Sequence, residues 1–142
     1  FDHKNEFFSA EKLKKFLGDL VIYKDMGQKG ADQLENAVSE INQKRDVTAL
    51  IYVSQARILF DEARVKAQTL FASAGEHSFR VDELVGGLDA LIESTKNLRS
   101  SVAFIDDQSS SDFTNNFNKA KSSLATGKDA LASVARFANS NQ

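Results

Sequence analysis

The chain has 142 residues, 42% of them hydrophobic and 27% charged, with a net charge of −2. That length holds one domain with its own core, and the composition is that of a folded globular protein. The near-neutral balance supplies no broad basic field for nucleic acid, and the absence of cysteine excludes disulfides and thiolate metal sites.

Proline is absent as well. Its ring breaks helix interiors, so its absence is expected where nearly all of the chain is helix. No apolar run approaches the roughly 20 residues that span a bilayer. The longest, Ala49 to Val53, belongs to a helix core. The chain opens with Phe1 rather than Met, as expected of a mature protein after removal of a leader, or of a trimmed one.

Taken in order, the chain predicts an N-terminal extension over residues 1–17, with Ser9 capping a helix that starts at Ala10. Phe7, Phe8 and Phe16 are expected to dock on the body, because an arm bearing them free would be sticky. Leu13, Leu17 and Leu20 start an apolar stripe, and Ala31, Leu34, Val38 and Ile41 continue it in phase. Between them, Gly27-Gln28-Lys29-Gly30 leaves two readings, one long helix or two pieces, and a break or bend is favoured because two glycines cost about 2 kcal/mol in helix propensity. Arg45-Asp46 marks the first turn.

A second helix is predicted from about Val47 to Ala72, with Ala49, Val53, Ala56, Phe60, Ala63, Ala67 and Leu70 on its buried face. A loop follows over 73–78, where Gly75 suits a left-handed C-cap and Ser78 an N-cap. The third helix runs to about Ile105 on Val81, Leu84, Leu88, Leu91, Thr95, Leu98, Val102 and Ile105. Asp82, Glu83 and Asp89 come early in it and Lys96 and Arg99 late, which complements the helix dipole. Gly86-Gly87 within it points to close approach of a neighbouring helix, with Gly127 in the same small-residue zone. Ser100 and Ser101 are placed on its polar face.

After a polar loop over 106–111, Ser109 and Asp112 resemble a capping box for the last helix. That helix buries Phe113, Phe117, Ala120, Leu124, Gly127, Leu131, Val134 and Ala138, and residues 139–142 fray. Residues three and four apart share a helix face, so each stripe needs a partner. Short connections make successive helices antiparallel. The expected fold is all-α, an up-down-up-down four-helix bundle with an N-terminal helical extension, in a single domain.

The residues for chemistry are scarce. His3 and His77 are the only histidines, and the chain lacks the Glu-x-x-His pairs of di-iron bundles. A Ser/His/Asp arrangement would need chance geometry, because the serines lie in loops or on polar faces. The expectation is no enzyme, no cofactor, no metal and no nucleic-acid partner. Lys12, Lys14 and Lys15, with Lys4 nearby, form a small basic cluster. Lys119, Lys121 and Lys128, and Arg57, Arg64 and Lys66, are further cations on the last and second helices. Docking of a protein or membrane-surface partner by such charges is steered electrostatically and weakened by salt.

From Val81 through Asn97-Leu98 to Val102, across the polar turn at 106–112, and on through Phe113, Phe117, Leu124 and Leu131, the chain resembles the third and fourth helices of the PsbQ-like extrinsic proteins of photosystem II. Arg57 and Arg64 on the second helix are compatible with that family. The chain has neither the proline-rich N-terminal stretch nor the tryptophan of plant members, so an algal or diatom relative fits better. The resemblance implies a non-catalytic protein of the chloroplast thylakoid lumen, peripheral to the membrane and a monomer when free. It would bind the lumenal subunits of photosystem II and other extrinsic proteins, and help the oxygen-evolving cluster hold calcium and chloride. Lys4, Phe7, Phe8, Lys12, Lys14 and Lys15 would then be the docking residues. The alternatives are a ligand-binding or sensory four-helix bundle and a microbial surface interaction protein, periplasmic or extracellular.

Overall fold

The computed structural model describes residues 2–141, with side chains from Ala10 onward. Its elements are α1 (Asp2–Asn42), α2 (Asp46–Thr69), a single turn α3 (Phe71–Ala74), a 3-10 turn (Gly75–His77), α4 (Ser78–Val102) and α5 (Ser111–Ser140). α1 packs on α2, α2 on α4, α4 on α5, and α5 returns to α1. The four long helices form the antiparallel bundle that the apolar rhythm predicts.

Every residue assigned to the inner faces of α2 and α5 is buried, and so are Val81, Leu84, Leu88, Leu91, Thr95 and Leu98 of α4. Val102 is only half-buried, because α4 ends there; Ile105 reaches the core from the following turn. Ser101 lies inside the bundle, contrary to its expected polar face. Its hydroxyl donates to the Leu98 carbonyl at 2.7 Å, which satisfies the group and makes burial tolerable. Ser94, also buried, donates at 2.7 Å to the Ala120 carbonyl and so ties α4 to α5.

α1 is continuous, and neither the start at Ala10 nor the break at 27–30 occurs. A Cβ on Gly30 would lie 2.3 Å from the Phe60 ring, and one on Gly27 would lie 2.9 Å from Leu88 Cδ2. The glycines are notches into which buried side chains fit. Burying a phenylalanine is worth several kcal/mol, more than the propensity that two glycines lose.

The helix ends differ in detail from the expected caps. α1 closes with Arg45 N–H on the Glu40 carbonyl and Lys44 N–H on the Ile41 carbonyl, both at 2.9 Å. This is the Schellman pattern. It places Lys44 at φ 60°, where glycine is usual. Gly75 has φ 53° and ψ −124°, a positive φ as expected but a sharper turn than a left-handed cap. Ser78 does not cap α4; its hydroxyl donates to the Gly75 carbonyl at 2.8 Å. Ser110, one residue past the expected Ser109, caps α5 by accepting the Phe113 N–H at 3.2 Å.

Gly86 and Gly87 part company. A Cβ on Gly86 meets nothing within 4 Å, whereas one on Gly87 would lie 2.7 Å from Ala130 Cβ. On the facing helix, a Cβ on Gly127 would lie 2.5 Å from Leu91 Cγ and 2.9 Å from the Gly87 carbonyl oxygen. Backbone meets backbone there, and neither side can move aside cheaply. Gly86→Ala is therefore expected to stabilise the protein by about 1 kcal/mol through helix propensity alone. Gly87→Ala should destabilise it by about 1–2 kcal/mol, because overpacking outweighs the same gain. Urea melts of the two variants check both signs. In the same assay Lys44→Gly should add about 0.5–1 kcal/mol, the left-handed penalty relieved less the entropy that glycine adds to the unfolded chain.

Candidate docking surface

α1 has 41 residues and α2 has 24, or about 60 Å against about 36 Å at 1.5 Å per residue. The excess lies toward the N-terminus, where α1 passes the α3 turn and the end of α5. Phe16 anchors this region as expected: it is 2% exposed and stacks on the His77 ring with centroids 6.2 Å apart. His77 in turn meets Phe137 of α5 at 5.2 Å. The Arg80 guanidinium lies between the Phe79 and Phe137 rings, at 4.4 and 4.7 Å from their centroids. It pairs with Glu83 at 3.0 Å, and Glu83 accepts from Ser133 at 2.7 Å. Aromatic, cationic and carboxylate groups thus clamp α1, α4 and α5 together at one end.

Two clefts flank this end of α1. One, of about 610 Å³, is lined by Ala10, Leu13, Lys14, Leu17, Gly18 and Asn141. The other, of about 320 Å³, lies between Lys12, Leu13 and Phe16 on α1 and residues 73–77. Leu13 is shared by both, so the exposed turns of α1 form a ridge with a hollow on either side.

Lys12, Lys14 and Lys15 are all exposed on this ridge. They do not make a single patch. At about 100° per residue, Lys12 and Lys14 point about 200° apart, one toward each cleft. Lys15 pairs with Asp19 at 3.1 Å. The side chains of Lys4, Phe7, Phe8 and His3 lie outside the described residues. Of the cations farther along the chain, Arg57 pairs with Asp61 at 2.9 Å and Lys66 with Glu62 at 3.1 Å, each within α2, and Lys128 of α5 pairs with Glu35 of α1. Arg64 joins α2 to α4 through Asp89 at 2.5 Å. That hydrogen bond and the attraction of the carboxylate raise the Arg64 pKa above its ordinary value.

Among the described residues there is no group of three or more His, Cys, Asp and Glu placed to hold a metal ion, and no helix long and apolar enough to cross a membrane. His77 Nε2 lies 3.7 Å from the Glu76 carboxylate.

Sequence reasoning missed the clefts, since the local spacing of Leu13 and Leu17 says nothing of how far α5 reaches. It also missed an apolar line on the outside of α2: Val47, Ile51, Ile58 and Val65. The signal was legible, because Ile51, Ile58 and Val65 recur every seventh residue out of phase with the core stripe.

Compared with models of protein families, with curated proteins and with solved structures, the chain matches none. What stands from the sequence resemblance is its architecture, a four-helix all-α bundle.

The Phe16 anchor has a local readout. Phe16→Ala should cost about 3 kcal/mol, the usual loss for a buried phenylalanine. Amide exchange should rise first in the turns of α1 around Leu13 and Leu17, ahead of the Gly27–Ile41 half of the helix. Hydrogen-exchange mass spectrometry resolves the two halves.

Proposed function

We propose that the protein is a non-catalytic docking subunit that binds the lumenal face of photosystem II and helps its oxygen-evolving cluster retain calcium and chloride. The observation that carries the reading is the ridge of α1. It sets exposed lysines around Leu13, with a hollow on each side that a partner's side chains can fill. The recess beside Lys14 is apolar with a cation on its edge, and the one beside Lys12 has Glu76 on its far side; exposed lysines at such edges suit a protein surface that is acidic where it meets them. The likeness of residues 81–131 to PsbQ-like proteins supports the choice of partner, and that stretch falls on α4 and most of α5. A subunit of this kind works by covering and holding, so it calls for no ligands of its own. The thylakoid lumen is the compartment that goes with it.

The test is rebinding to salt-washed algal photosystem II particles, at low and high ionic strength, with oxygen evolution recorded. Saturable binding that restores activity and weakens with salt is the expected result. Lys12→Glu combined with Lys14→Glu and Lys15→Glu should weaken binding about tenfold or more at low salt and flatten its salt dependence, with the helical content unchanged. Absence of rebinding when the other extrinsic proteins are present overturns the reading. The cleft of about 610 Å³ beside Leu13 would then be the place to seek a small apolar ligand, since its volume is in the range of such sites.

A further inference from the structure

The core stripe of α2 does not stop where α2 stops. Ala63, Ala67, Leu70, Ala74, His77, Val81, Leu84 and Leu88 alternate by four and three residues straight through the turn into α4. All are buried except His77, which is half-buried against Phe16 and Phe137. The other two turns break this rhythm. Ile41 to Ala49 and Ile105 to Phe113 are each eight residues, one more than the seven-residue repeat allows. An unbroken repeat is what one continuous helix needs to keep a single face inward.

The backbone of this turn is close to that of such a helix. Leu70, Ala74 and Ser78 have right-handed helical dihedrals. Between Asp46 and Val102, Gly75 alone has a positive φ, 53° with ψ −124°. Only glycine takes that conformation without strain. A Cβ there meets nothing within 4 Å, so the backbone by itself opposes a side chain. We propose that Gly75 is a hinge through which two copies of the chain exchange hairpins. α2 and α4 straighten into one helix over residues 46–102, and α1–α2 of one copy packs on α4–α5 of the other.

The packing divides the molecule at the same place. Its most extensive interfaces are α1 on α2 and α4 on α5, so each hairpin holds itself together and the hinge lies between them. The hairpins meet through Arg64 with Asp89, Ser54 with Arg99, and Lys128 with Glu35. Exchange remakes every one of these contacts between chains, because each partner brings the same surface. The core therefore loses nothing. What the dimer adds is a run of helix through 70–78, with Leu70, Ala74 and His77 already in phase. What it gives up is the advantage of having both hairpins on one chain. The straight helix would be about 85 Å long at 1.5 Å per residue.

A short link holds its two ends together at an effective concentration of about a millimolar, so the wild type exchanges only near that concentration. Alanine at position 75 strains the turn and favours the straight helix. Each hinge shifts by about thirtyfold or more, and a dimer holds two, so Gly75→Ala should dimerise about a thousandfold more tightly. In sedimentation at about 100 µM the wild type should show 15.6 kDa and Gly75→Ala twice that mass. The chain has no cysteine, so Ser54→Cys with Arg99→Cys takes two spin labels cleanly. In the closed chain these side chains are 3.4 Å apart, and the labels should lie within about 20 Å. In an exchanged Gly75→Ala dimer, with labelled chains diluted by unlabelled ones, the distance within a chain should be about 68 Å. A folded Gly75→Ala that stays monomeric overturns the proposal. So does a dimer whose within-chain distance stays short, since closed copies have then paired side by side. If Gly75→Ala does not fold, the wild type decides. Refolded from urea at about 1 mM, it should give dimers that persist on dilution, because both lobes must unfold before the hairpins return. Refolding to monomer alone overturns the proposal. These measurements are made without photosystem II, so their failure and failure of rebinding are distinguishable.

Discussion

The fit of the Phe60 ring into the notch at Gly30 is the contact on which the shape of the molecule depends. It is what keeps α1 a single rod through a segment whose own propensity favours a bend. A hinge at Gly27–Gly30 would let the N-terminal half of α1 lie anywhere on the bundle. With the ring seated, that half has one direction, along α5 and past the α3 turn. The ridge at Leu13 and the clefts on either side of it exist only because α1 is straight. Fold and candidate site are therefore linked through one aromatic side chain and one missing methyl group.

The same trade recurs between α4 and α5. Gly87 and Gly127 let two backbones approach until the carbonyl of one lies where the side chain of the other would be. Each glycine weakens its helix by about 1 kcal/mol relative to alanine. Dense packing of Leu91 and Ala130 across the seam offsets that loss. The buried Ser94 bond to the Ala120 carbonyl crosses the same seam and fixes its register. Since one residue of slip would bury a different face, this polar contact contributes specificity beyond its modest energy.

The fold was legible because burial in a bundle follows the helical period, and a period can be read without knowing the partner. Val53, Phe60 and Ala67 announce a buried face by spacing alone, as do Phe117, Leu124 and Leu131. Glycine carries no such signal. Gly30 and Gly86 look alike in sequence, and only the neighbour across the interface tells a notch from an exposed, replaceable residue. Caps failed for a related reason. Ser109 and Ser110 both satisfy the local pattern, and the turn preceding the helix decides which hydroxyl reaches Phe113 N–H. The docking surface was half legible. Lysine clustering in the sequence was real, but helical geometry sends Lys12 and Lys14 to opposite sides of α1, so the three cations border two recesses. The outer line of α2 was present in the spacing, on the face opposite the buried stripe.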